Sequence, residues 1–150
     1  MRLWLIVMML LVASPAIADD TAVGEALIRR GVTFEIRQDY DSALRVYREL
    51  ADVPDHAGTA FFLQARVAFH RKDYVKSLEL AKRAVSHATG TWRNLAKLLY
   101  GDTLLATGSV QRAKLVFIAL HDQNPGDRRE LVKRVIACNK QLRLPDRDGL

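Results

Sequence analysis

Apolar and polar positions along the chain fall into three regimes. Leu3 to Ala13 is an unbroken apolar run. From about residue 21 the apolar residues recur three and four places apart, the spacing of one face of an α-helix. Beyond Pro145 the tail is mostly polar. In the middle regime Gly31 and Phe34 share one helical face, and Ala43, Tyr47 and Leu50 share another. Breaks in the periodicity predict helices at about 21–37, 40–52, 58–71, 74–87, 92–107, 110–122 and 127–143. Asp39, Asp73 and Ser109 stand just before three of them, where a side-chain oxygen can accept from a free N–H of the first turn. Pro54 and Pro125 follow helices that a residue without an N–H cannot extend.

The pattern also repeats. "QDYDSALRVY" at 38–47 is matched by "KDYVKSLELA" at 72–81, an offset of 34 residues. The same offset pairs Gly31 with Ala65, Phe34 with Ala68, Tyr47 with Ala81 and Leu50 with Ala84. A third copy at an offset of 36 adds Gly101, Leu104, Val110, Ala113, Phe117 and Leu120, with the two extra residues placed in the Ala88–Thr91 stretch between repeats. A fixed period of this length signals stacked supersecondary units, none of which can bury its apolar face alone. Small residues at Gly31, Ala65 and Gly101, met by Ala43, Ser77 and Ala113 from the other side, let two antiparallel helices approach closely.

The residues Gly31, Phe34, Tyr40, Ala43, Tyr47, Leu50 and Pro54, and in the third copy Gly101, Leu104, Gly108, Ala113, Phe117 and Pro125, make the chain resemble the tetratricopeptide-repeat family over about Gly24 to Asp127. Arg30 and Gln64 depart from the family's usual Leu, and Ala68 from its usual aromatic. The resemblance implies an all-α, right-handed α-solenoid of three helical hairpins, at about 24–57, 58–91 and 94–127. A solenoid end needs a cap with a polar outer face. Residues 127–143 supply it: Leu131, Val135, Cys138 and Leu142 form an apolar stripe, and Arg128, Arg129, Lys133, Arg134 and Lys140 cover the rest. Asp127 and Glu130 open that helix like a capping box. Residues 145–150 are expected to be a disordered tail.

Charge and the N-terminus bound the setting. Arg2, the apolar run, the break at Ser14-Pro15 and the small residues Ala16 and Ala18 have the layout of a secretory signal peptide over residues 1–18. The run is shorter than the roughly 20 residues that span a bilayer. The chain carries 23 basic and 17 acidic residues; removing Arg2 leaves 22 against 17, a net +5. In an exported, periplasmic protein that charge points to anionic envelope surfaces or acidic partners, not to nucleic acid. With one cysteine, Cys138, no internal disulfide can form.

Catalytic constellations do not emerge. His56, His70, His87 and His121 show no metal-binding spacing, and no nucleophile elbow or phosphate-binding glycine loop is present. Glu35, Asp39 and Asp41 cluster where carboxylates cap helices. The expectation is a non-enzyme without cofactor or metal.

Binding surface remains. The resemblance implies that the first helix of each hairpin lines the concave face, in three rows: Glu25, Ile28, Val32 and Glu35; Thr59, Phe62, Arg66 and Phe69; Leu95, Leu98, Asp102 and Leu105. Phe62, Arg66 and Phe69 share one face of their helix. They either fill core between repeats or form the centre of a groove in which Arg66 anchors a carboxylate or carbonyl beside apolar pockets. The expected groove is Ile28, Val32, Phe62, Arg66, Phe69, Leu98, Asp102 and Leu105. Family members that clamp a chaperone's C-terminal carboxylates use Lys, Asn and Arg at positions where this chain has Ile28, Val32, Leu63, Leu95 and Leu99, which implies an apolar-containing ligand segment. The reading is an envelope adaptor that binds a segment of another envelope protein in assembly of a secretion, pilus or export complex, and meets the membrane only through partners. The alternatives are a self-associating scaffold and a binder of an anionic envelope polymer through the basic capping helix. N-terminal sequencing of protein from the envelope fraction is expected to begin at Asp19; a product that begins at Met1 would overturn export by cleavage.

Overall fold

The computed structural model describes residues 16–123 and 128–142. Residues 1–15 of the expected leader, Pro125, Asp127 and the 145–150 tail lie outside the described residues. Among the described residues the elements are helices: α1 (Ala16–Ile36), α2 (Tyr40–Ala51), α3 (Ala57–His70), α4 (Tyr74–His87), α5 (Gly90–Ala106), α6 (Val110–Gln123) and α7 (Arg128–Gln141). Their ends fall within two residues of the boundaries that periodicity predicts, except that α1 begins at Ala16. Each helix packs on the next in sequence, and α3 also meets α5 directly. The α1/α2, α3/α4 and α5/α6 hairpins therefore stack, with the first helices in one layer and the second helices in another. Among the described residues no helix is long and apolar enough to cross a membrane.

The three hairpin turns are built alike. Asp39 N–H donates to the Phe34 carbonyl and Gln38 N–H to that of Glu35. Asp73 and Lys72 repeat this on Ala68 and Phe69, and Ser109 and Gly108 on Leu104 and Leu105. This is the Schellman pattern, which requires a left-handed residue at its corner. Gln38, Lys72 and Gly108 take that corner with φ of 59°, 61° and 79°. The residue after the corner starts the next helix: Asp39 accepts from Ser42 N–H at 3.1 Å and Asp73 from Lys76 N–H at 3.2 Å. The Ser109 carbonyl accepts from Ala113 N–H at the same place.

Packing follows the repeat register. Ala43, Ser77 and Ala113 are fully buried, as are Tyr47, Ala81 and Phe117. A Cβ on Gly31 would lie 2.1 Å from the Tyr47 ring, and one on Gly101 would lie 2.4 Å from the Phe117 ring. In the outer two hairpins a glycine therefore receives an aromatic ring; in the middle one both equivalent positions are buried alanines, Ala65 and Ala81. One core cluster joins the first two hairpins to the N-terminal part of α5 through Ala96 and Leu99, and a second joins α5, α6 and α7 through Leu104, Phe117, Leu131, Val135 and Cys138. Tyr100 packs on both. Buried Thr103 donates to the Leu99 carbonyl at 2.7 Å, so Ser77, 3.1 Å from the Thr103 hydroxyl, supplies the proton of that contact.

The offset of 36 has a structural origin. In the register that pairs Ala65 with Gly101, α5 starts three positions earlier than α3, at Gly90 rather than at the equivalent of Ala57. The additional residues lengthen the first turn of α5 and bring in Trp92, whose ring lies 5.7 Å from Phe62. Gly101→Ala is expected to cost about 1–3 kcal/mol, because the new methyl must displace a ring held in a filled core. The exposed Glu79→Ala should stay within about 0.5 kcal/mol of the parent. Thermal melting of the pair tests the register; equal midpoints would refute it.

Candidate functional site

The layer formed by α1, α3 and α5 holds the expected groove residues, and burial separates them. Phe62 is only 6% exposed and belongs to the core with Leu63, Ala65 and Leu99. The expectation that it faces a ligand is corrected: α3 lies between two hairpins, and the Trp92 ring supplied by the longer α5 covers it. Phe69 is half-buried, against the first core and 5.5 Å from the Tyr74 ring. Thr59 is buried. Ile28 is half-buried on the first core, and Leu98 and Leu105 are half-buried on the second. Val32 is half-buried as well. Leu95, one turn from Trp92, is 37% exposed, the most open apolar side chain on the three expected inner rows.

Arg66 is not an open anchor. Its Nε donates to Glu35 Oε2 at 3.1 Å and its Nη2 to Glu35 Oε1 at 2.8 Å. Tyr47 O–H donates to the same Oε1 at 2.5 Å. The Glu35 side chain is 9% exposed and that of Arg66 is 30% exposed. Three donors thus hold one largely buried carboxylate. Burial works against the Arg66 charge, yet the Glu35 hydrogen bonds and charge outweigh it and raise the guanidinium pKa further. Burial, then the hydrogen bond to Glu35, pushes the Tyr47 phenol up from its ordinary 10.0 and keeps it a donor. Arg66 also lies over Phe62, 5.7 Å from the ring centre.

A second bridge has the same form. Arg134 on α7 donates through Nε to Asp102 Oδ1 at 2.8 Å and through Nη2 to Oδ2 at 3.2 Å. Its Nη1 donates to Glu130 at 2.6 Å. The Asp102 hydrogen bond raises the Arg134 pKa against the opposing effect of burial. Asp102 is therefore a partner of the capping helix, not a free groove acid. The sequence placed Glu35 on the inner face and among helix-capping carboxylates, Tyr47 in the packed register and Arg134 on the capping helix, but it did not show that they bridge helices, and it missed Trp92. The signal was there for the two arginines: each sits 31 or 32 residues after a carboxylate on the preceding first helix.

No group of three or more His, Cys, Asp or Glu among the described residues is arranged to hold a metal ion. Cys138 is buried, and burial raises its thiol pKa, so it is a packing residue.

Arg66→Ala removes two of the three donors on a buried carboxylate. Breaking a fully buried pair from one side costs roughly 3–5 kcal/mol. The expected loss here is about 2 kcal/mol or more, because water reaches the Arg66 head. Arg71→Ala breaks the open Arg71–Asp41 pair, whose side chains are 47% and 86% exposed. That loss should be within about 1 kcal/mol. Denaturant melts of the two variants check the difference.

The geometry has known counterparts. A tetratricopeptide-repeat family profile matches residues 22–91. The chain is similar to the solved structure of the first tetratricopeptide domain of Spaghetti (RPAP3) bound to the HSP90 peptide SRMEEVD, with a TM-score of 0.71 and 16% identity over 81% of this chain and 94% of that one. It is also similar to the TPR2B domain of yeast Sti1 in its pHsp70 complex, with a TM-score of 0.71 and 13% identity over 80% and 98% of the two chains. No curated protein sequence matches. With the threefold repeat, the stacked hairpins and the family profile in agreement, residues 22–91 match the tetratricopeptide-repeat family and the described helices share its fold.

Proposed function

We propose that the chain is a non-catalytic adaptor of the bacterial cell envelope that holds a segment of another envelope protein against the α1/α3/α5 layer. The observation that carries this is the chemistry of that layer. Ile28, Val32, Leu95, Leu98 and Leu105 keep apolar surface partly open, while Arg66 is matched by Glu35, and Arg134 and Lys133 together are matched by Asp102 and Glu130. An extended segment with apolar side chains can gain burial there without stranding a charge. One structural neighbour was solved bound to an HSP90 peptide and another in a pHsp70 complex, which supports a segment-holding use of the fold. The signal-peptide layout supports a periplasmic location, and a role in assembly of a secretion, pilus or export complex follows from that location.

Two other readings rest on other surfaces. Self-association would use exposed apolar side chains at helix ends, Ile36 closing α1 and Val75 opening α4, which are 79% and 81% exposed. Binding of an anionic polymer would use exposed Arg129, Lys133 and Lys140 on α7. The full chain as bait in an envelope extract, beside Leu95→Asp, separates the three. Capture of a partner should fall at least tenfold in Leu95→Asp, with the melting temperature retained and with little dependence on salt. Capture unchanged by Leu95→Asp but lost in Lys133→Glu and at high salt would favour the polymer. Concentration-dependent light scattering abolished by Val75→Asp would favour the scaffold.

A further inference from the structure

The two inner-face arginines are bound in the same way. In each, Nε and Nη2 form a fork on both oxygens of one carboxylate, supplied by the preceding first helix of the stack: Glu35 of α1 for Arg66 of α3, and Asp102 of α5 for Arg134 of α7. A planar guanidinium fork is the group best matched to a carboxylate. It is also what an acidic peptide would seek in a cleft of this kind. Here that match is already made within the chain. Glu35 is further fixed by the buried Tyr47 hydroxyl at 2.5 Å, so it cannot swing aside without giving up a third donor. Arg134 has its remaining Nη1 on Glu130 at 2.6 Å.

We infer that Glu35 and Asp102 are specificity-determining residues: they occupy the two arginine forks as built-in carboxylates and so exclude acidic segments, restricting the partner to a segment with neutral and apolar side chains. This rests on the proposed use of the inner layer for binding. The physical reason is asymmetry. A ligand carboxylate that took the Arg66 fork would leave Glu35 buried with a single neutral donor, and an unpaired buried charge costs more than the new pair returns. A neutral segment faces no such exchange. Selection then works by repulsion of the wrong ligand as much as by attraction of the right one.

Removing the charge while keeping the shape tests this. Glu35→Gln and Asp102→Asn in the full chain keep an oxygen that can accept from the arginine but release its positive charge. The probes are a hexapeptide LEEVLD with a free carboxy terminus and its uncharged counterpart LQQVLN-amide, titrated by calorimetry or fluorescence anisotropy. The wild-type chain should bind the acidic peptide at least tenfold more weakly than Glu35→Gln does. The gain should vanish at about 1 M salt, where screening reaches about 3 Å. Affinity for the uncharged peptide should change less than threefold. Wild type binding the acidic peptide as tightly as the variants would overturn the inference. So would a folded Glu35→Gln with no gain. If Glu35→Gln melts too low to assay, the double variant Asp102→Asn/Glu130→Gln decides alone, since Asp102 and Glu130 are 28% and 54% exposed and the two changes together leave Arg134 without either carboxylate. Failure of the binding layer itself would show separately, as partner capture that Leu95→Asp leaves intact.

Discussion

The structure depends on two helices crossing at a point with no room for a side chain. Gly31 under the Tyr47 ring and Gly101 under the Phe117 ring are the two clearest cases. An interior packed to crystal density leaves no slack for an added methyl, so the pair fixes the distance and the register of its hairpin together. The middle hairpin has alanines, Ala65 and Ala81, at the equivalent positions, both fully buried. Its missing ring volume is made up sideways, where Phe62 fills the space toward α5 and meets Trp92.

The same rings tie each crossing to the inner layer. Tyr47 plugs the first hairpin and ends in a hydroxyl that reaches Glu35, which in turn holds Arg66. Phe117 plugs the third and lies 6.0 Å from the head of Arg134, which holds Asp102. A polar bridge therefore spans α1 to α3 and another spans α5 to α7, while α3 to α5 is joined by apolar contact. Ion pairs that are partly buried add little net stability once desolvation is counted, but they do penalise every register in which they are broken. In this stack they hold neighbouring hairpins at one stagger, and they leave the surface between them without net charge.

Much of this was legible in the sequence for a physical reason. The repeat forces chemically equivalent residues into equivalent places, so burial at Ala43, Ser77 and Ala113 or at Leu50, Ala84 and Leu120 follows from alignment alone. The turn glycine Gly108 was visible; Gln38 and Lys72 at the same corner were not, because nothing in a non-glycine residue announces a positive φ. The candidate site was read less well. Phe62 and Arg66 share a helical face with the layer's open positions, yet one is core and the other is spent on Glu35. Periodicity ranks positions around one helix. It does not say how far the next helix extends, and the longer first turn of α5 is what covers Phe62.

That cover decides how much apolar surface the middle helix leaves open. α3 buries Gly58, Thr59, Ala60, Phe62, Leu63, Ala65, Val67 and Ala68, nearly its whole circumference. A helix enclosed on this scale serves as the spine of the stack and has little apolar surface left to offer. The open apolar atoms are displaced to its flanks, to Ile28 and Val32 on α1 and to Leu95 and Leu98 on α5. Between those flanks stands the Arg66–Glu35 pair, with its charges already matched. A segment lying across the layer would therefore meet apolar contact at both ends and a neutral, hydrogen-bonded step in the middle. Its best sequence would place apolar side chains at its ends and a small polar residue at its centre. The shape of that preference comes from the burial of Phe62, the residue that the sequence left open between core and the centre of the groove.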